Sequence, residues 1–181
     1  MTSNTNQVSV VETTEMLKGE TGEEGQYLTF LLNKEMYAIG ILHIKEILEY
    51  GQLTTVPMMP DFIRGVINLR GSVVPVVDLA ARFGDTQSGV TKRTCVVILE
   101  VSTEDGHQDI GIMVDSVSAV MEISGENIEA PPAFGAKIRA DFIEGMGNLD
   151  GKFIIILAVN KVLSVDELAL VSQVKDIVQD N

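Results

Sequence analysis

Tryptophan is absent from the 181 residues, and six Phe with three Tyr bring aromatics to only 5% of the chain. Any core must therefore rest on Ile, Val, Leu and Met. Basic residues are scarce: 13 Lys and Arg face 26 Asp and Glu, for a net charge of −13. Binding a phosphate backbone or an anionic lipid surface requires clustered cations, so nucleic acid and membrane are excluded as expected partners. A single cysteine, Cys95, rules out an internal disulfide and suits a reducing compartment. It lies in the apolar run "CVVILEV", where a buried structural thiol is the reading. The longest unbroken apolar run, Phe153 to Val159, is seven residues, against the roughly 18 that a spanning helix needs. The first twenty residues carry neither a basic n-region nor an apolar h-region, so no secretion signal is read there. The expectation is a soluble cytoplasmic protein.

What is present is a run of short apolar segments punctuated by Gly, Asn, Asp and Pro. Candidate strands are 27–32, 36–41, 65–69, 72–77, 94–101, 110–114, 144–149 and 152–159. Many short strands separated by turn signals predict an antiparallel sandwich or small barrels. "NKE" and "EDGHQ" read as hairpin loops, and "NLRG" and "NLDG" place Asn and Gly where a tight reversal needs them. Residues 1–25 are too polar to bury themselves, with five Glu against one Lys, and are expected to form a disordered tail. "ILHIKEIL" reads as a short helical turn or an irregular strand, and "VDLAARFG" as two helical turns ended by Gly84. Ser164 and Glu167 form a capping box ahead of a stripe of Leu168, Val171, Val174 and Val178, which predicts a closing amphipathic helix over 165–178.

The chain repeats itself once. "DFIRGVINLRGSVVPVVDL" (61–79) returns as "DFIEGMGNLDGKFIIILAV" (141–159), and "AIGILHIKEILE" (38–49) as "GIMVDSVSAVME" (111–122). Each copy runs strand, short amphipathic link, Pro-containing loop, glycine hairpin, with Pro57 and Pro60 answered by Pro131 and Pro132. Two copies are too few for a solenoid. They predict two similar β subdomains, about 26–90 and 91–160, each closing its own sheet edges and sharing one core seam. The charges do not repeat. Arg64 answers to Glu144 and Arg70 to Asp150, so two similar halves offer different surfaces.

Chemistry-bearing clusters are thin. His43 and His107 are the only histidines, with no partner at metal-ligand spacing, and no phosphate-binding loop or nucleophile elbow occurs. No cofactor or metal is expected. Asp78 and Asp115 each follow an apolar strand and read as turn or helix caps; a small hydrolase using them with His43 is the outlying alternative. Glu46, Arg64 and Arg70 attract more notice, because Glu46 sits among Ile44 and Ile47 while Arg70 occupies a hairpin tip. They suit a charged rim around an apolar docking patch, which orients a partner and discriminates among partners.

The run "FIRGVINLRGSVVPVVDL", preceded by "VPMMP" and followed by "ARFG", closely resembles the CheW family of chemotaxis coupling proteins. "YAIGILHIKEIL", "IGIMVDSVSAVMEI" and "FIEGMGNLDGKFIIILAVNKVLS" resemble it too, in the family's order, over about residues 26–178. The resemblance implies a mainly β protein of two SH3-like five-stranded barrels packed around an apolar seam. It implies a non-catalytic adaptor joining the regulatory domain of a CheA-type histidine kinase to the cytoplasmic hairpin tip of methyl-accepting chemoreceptors. A related adaptor of a non-flagellar pathway, such as one for pili, is the alternative. By resemblance, Ile44, Glu46, Gly65 and Arg70 belong to the binding surface, Arg70 pairing with Glu46. Val97 and Ile98 match a strand lining the receptor-facing groove, although core packing is an equally open reading of both.

Overall fold

The computed structural model describes residues 25–85, 89–103, 106–131 and 138–163. The tail up to residue 24, Pro132 and the expected helix over 165–178 lie outside the described residues. Among the described residues eleven strands dominate: β1 Gln26–Leu32, β2 Glu35–Gly40, β3 Ile44–Glu49, β4 Ile63–Leu69, β5 Ser72–Asp78, β6 Cys95–Thr103, β7 Gly106–Val114, β8 Ser116–Glu122, β9 Ile128–Glu129, β10 Ile143–Leu149 and β11 Lys152–Leu157. Single helical turns, α1 Leu79–Arg82 and α2 Val159–Val162, follow β5 and β11.

The two amphipathic links are mostly strand. In the first, a 310 turn at Ile41–His43 leads into β3, whose register against β6 slips between Ile44 and Glu46. That bulge disturbs the alternation by which a strand is recognised, so Ile41, Ile44 and Ile47 mimic helical spacing. The second link is β8. His107, expected in a loop, is the second residue of β7, at its exposed end.

The strands form a six-stranded sheet, β8-β1-β2-β11-β10-β9, and a five-stranded sheet, β3-β6-β7-β5-β4. Aligning the sequence repeat sets β1 to β5 against β6, β7, β8, β10 and β11. On that alignment the two sheets have the same order, apart from the two-residue β9. Each sheet takes its first two repeat strands from one half of the chain and the remaining three from the other. The six-stranded sheet joins β1 and β2 to strands beyond residue 115, while the five-stranded sheet is built wholly from residues 44–114. The division expected near residue 90 is therefore corrected. The halves exchange strands at Ile41–His43 and at Asp115, because hydrogen bonding follows the sheet and not the linear repeat.

Alternation then sorts the core. One face of both sheets, with Phe30, Ile39, Val97, Leu99 and Ile112, fills a shared seam. The other faces fill two separate interiors: Val74, Val76, Val96, Ile98 and Met113 in the five-stranded sheet, and Ala38, Ile123, Ile154 and Ile156 in the six-stranded one.

Candidate partner-binding surface

The surface expected from sequence is built on the β4–β5 hairpin. Arg70 and Gly71 are its central residues, with φ of 52° and 88°, and the Asn68 Oδ1 accepts from the Gly71 N–H at 3.0 Å. Positive φ at both central positions is the type I′ geometry that suits the twist of paired strands. The turn holds Arg70 outward, with 72% of its side chain exposed. Its guanidinium donates twice to Glu46, Nη1 to Oε1 at 3.1 Å and Nη2 to Oε2 at 3.3 Å. Two parallel bonds fix the planar groups against each other. Glu46 lies on β3, at the opposite edge of the sheet from β4, so the pair spans the gap across which the sheet curls towards closure.

Gly65 makes that curl possible. Arg64 is bulged out where the β4–β5 register slips between Ile63 and Gly65. A Cβ on Gly65 would lie 2.5 Å from the Thr54 carbonyl oxygen. With only hydrogen there, the chain beyond β3 closes on β4 through paired backbone bonds of 2.9 Å between Thr54 and Val66. Ile44 is half-buried at the start of β3, packed against the seam. The structure thus joins Glu46 and Arg70 directly, with Gly65 shaping the backbone beneath.

Val97 and Ile98 do not join them. Both are fully buried, Val97 in the seam and Ile98 within the sheet's own interior. Of the two readings open for them, groove lining and core packing, their burial fits the core: β6 is the second strand of its sheet, covered on both faces. The apolar run around them is the sequence signal for such a strand.

A second ion pair explains the other exchanged charge. Asp78 is wholly buried, caps α1 by accepting from the Ala81 N–H at 3.3 Å, and lies 3.8 Å from the Arg64 guanidinium. In the second half Glu144 replaces Arg64 and Ala158 replaces Asp78, while Asp150 and Ala119 stand for Arg70 and Glu46. Each cation of the first half is lost together with its carboxylate partner. The hairpin itself survives intact, with Asp150 and Gly151 at φ of 53° and 84° and the Asn148 Oδ1 accepting from the Gly151 N–H at 3.1 Å.

The exchange also changes two comparable clefts. One of about 670 Å³ is lined by Tyr50, Leu53, Ile63 and Arg64. The other, about 660 Å³, is lined by Tyr27, His43, Glu122 and Glu144. Burial and then the Glu144 carboxylate push the Tyr27 hydroxyl above its usual range.

No hydrolytic trio forms. Asp78 is engaged as described, the Asp115 Oδ2 accepts from the Asn33 N–H at 2.8 Å, and His43 lines a cleft that contains neither carboxylate. Among the described residues no three His, Cys, Asp or Glu are grouped to hold a metal ion, and no helix is long and apolar enough to cross a membrane.

With this geometry in place, comparison with known proteins is decisive. The family model described as CheW-like domain matches residues 26–167. The chain belongs to the CheW family. It is 38% identical over 163 residues to the chemotaxis protein CheW of Klebsiella aerogenes, covering 90% of this chain and 95% of that protein. The CheW of Treponema pallidum is 32% identical, over 81% of this chain and 86% of the relative. The solved scaffolding protein TtCheW from Thermoanaerobacter tengcongensis superposes with a TM-score of 0.71 at 34% identity, covering 79% of this chain and 94% of that one. CheW proteins are chemotaxis adaptors without catalytic activity, and this chain is one of them: a scaffold, not an enzyme.

Proposed function

We propose that the chain works in the cytoplasm, coupling methyl-accepting chemoreceptors to a CheA-type histidine kinase. It is recruited to receptor arrays by contacts with the receptor's hairpin tip and with the kinase regulatory domain. The observation that carries this reading is the Arg70–Glu46 pair, held outward by a rigid turn at 72% and 21% side-chain exposure. An ion pair so placed adds little stability but presents a fixed pattern of charge to a partner. The second half keeps the same hairpin without that pattern, so an adaptor that holds unlike partners has unlike faces to offer them.

The test is binding of the full chain to a kinase regulatory domain and to a receptor fragment, separately and together. Both are expected to bind. Arg70→Glu should weaken assembly by a few kcal/mol at most, on the order found for hydrogen-bonded interface charges, and leave the fold intact. No binding to either partner at tens of micromolar would sink the proposal. Unfolding of Arg70→Glu would make Arg70 a structural residue and remove its interface role.

A further inference from the structure

β3 carries one residue more than β6 can pair with. Ile44 lies opposite Leu99 and Glu46 opposite Ile98, so Lys45 is the extra residue of the bulge. The slip resets the alternation of faces. Ile44 packs on the seam with Leu99, whereas Glu46 shares a face with Ile98, at the rim of the five-stranded sheet's own interior. Lys45 reaches to that same face. Its Nζ donates to both carboxylate oxygens of Asp109, at 3.0 and 3.2 Å, and lies 4.0 Å from the Glu100 Oε2. Glu100 and Asp109 are direct partners across β6 and β7, one same-face step along from Ile98 and Gly111. Like charges directly opposite each other repel, and Lys45 is the cation set over them.

The six-stranded sheet keeps the bulge and drops the charges. There β8 slips past β1 at the matching place, with Ala119 opposite Thr29 and Val117 opposite Phe30, so Ser118 is the extra residue. By register and repeat, Leu31, Met36 and Ala119 stand where the other sheet has Glu100, Asp109 and Glu46. The bulge therefore does not need the lysine or its two carboxylates. The three charges instead accompany the Arg70–Glu46 pair: the sheet that has the pair has them, and the sheet that lacks it lacks all three.

We propose that Asp109 and Glu100 are positioning residues for the docking surface, drawing Lys45 away from Glu46 so that this carboxylate is left to the Arg70 guanidinium. Lys45 and Glu46 are consecutive residues turned to one face, and an ammonium on a flexible four-carbon stem can reach the carboxylate beside it. A partly exposed ion pair is worth little by itself, so a competing cation at hand would be enough to break the Arg70–Glu46 pair for part of the time. With Lys45 held by two carboxylates, contact passes from Arg70 to Glu46 and from Lys45 to Asp109 in fixed pairs. One arrangement of charge is then presented in place of two that exchange, which lowers the ordering cost of binding.

This inference rests on the reading of Arg70 and Glu46 as the docking feature of an adaptor, and the experiment keeps the two apart. The full chain is compared with the double variant Glu100→Gln/Asp109→Asn and with the triple variant that adds Lys45→Met. The guanidinium N–H signals of Arg70 are followed by NMR, with Glu46→Gln marking the unpaired state. Each chain is also titrated against a kinase regulatory domain and against a receptor fragment, and its thermal unfolding is recorded. The double variant should move the Arg70 signals towards those of Glu46→Gln and bind at least one probe about fivefold to tenfold more weakly. Adding Lys45→Met should restore both, because the competitor is gone; a merely structural loss would not be repaired by deleting a further charge. Unchanged Arg70 signals in the double variant would overturn the proposal, and so would a triple variant that stays unpaired. A double variant that unfolds at a markedly lower temperature without rescue would overturn it too, by assigning the carboxylates to stability. Arg70 signals that shift and recover while both probes bind as to the parent would remove the role at the docking surface. If the parent itself binds neither probe, the adaptor reading fails, and the Arg70 signals alone decide whether the two carboxylates hold Lys45 away.

Discussion

A methyl group placed on Gly65 would meet a backbone oxygen at 2.5 Å, whereas one placed on Gly71 would meet nothing within 4 Å. Both glycines have positive φ, so both substitutions strain the chain, but only the first also forces strands apart. Gly65→Ala should cost about 2–3 kcal/mol and Gly71→Ala about 1, from overpacking added to strain in one case and strain alone in the other. Urea unfolding of the two variants checks the order, and equal losses would show that the Thr54 contact yields easily. Tyr37 carries a prediction of a different kind. Burial first, then the Glu35 and Asp85 carboxylates, push its hydroxyl from 10.0 up to about 12. The folded state holds that proton more tightly than the unfolded one, so the stability it contributes is complete below pH 10 and is lost as pH rises towards 12. Thermal unfolding followed between these limits should fall less steeply in Tyr37→Phe than in the parent; parallel curves would remove Tyr37 as the source.

Among the elements, the glycine hairpins were legible because everything that makes them is local. An Asn two residues ahead of a central pair that ends in Gly specifies a type I′ turn without reference to the rest of the chain, and both copies fold alike. Asp78 was legible as a helix cap for the same reason, but Arg64 beside it was not assigned to it, since that pairing depends on β4 lying next to the end of β5. β3 and β8 were obscured, the first by its 310 entry and bulge. Val97 and Ile98 show a different weakness: the resemblance left groove lining and core packing equally open, and only the packing of β6 shows both side chains buried. Arg82 could not be singled out from sequence at all. From α1 its guanidinium lies 4.7 Å from the ring centre of Phe142 and 5.5 Å from that of Phe62, and its Nε donates to the Val162 carbonyl at 3.0 Å. It therefore clasps the matching Phe residues of the two repeats and ties α1 to α2. Arg82→Ala should destabilise the fold by about 2 kcal/mol, the sum expected for two cation–π contacts and one hydrogen bond. Arg82→Lys, which keeps the charge without the planar fork, should recover only part of that loss. Calorimetric unfolding of both variants gives the comparison, and full recovery by lysine would mean that charge alone matters.

For the molecule as a whole, the exchange of strands makes the two halves of the sequence interdependent. A chain cut near residue 90 would leave β1 and β2 without β8 and β11, their neighbours on either side, and β3 to β5 without β6 and β7. The unpaired edges would carry Phe30, Ile39 and Val77, which in the intact protein fill the shared seam. Neither piece can bury that surface alone, so neither is expected to fold. A peptide of residues 26–90 should give the narrow amide dispersion of an unfolded chain in a proton NMR spectrum, and the remaining piece should do the same. Mixed in equal amounts, they should regain dispersion and unfold together in one concentration-dependent transition, because each sheet is completed only by strands from the other piece. The contrary result is as definite. If residues 26–90 fold alone, the sheets can close within one half of the sequence, and the matching strand orders do not depend on exchange.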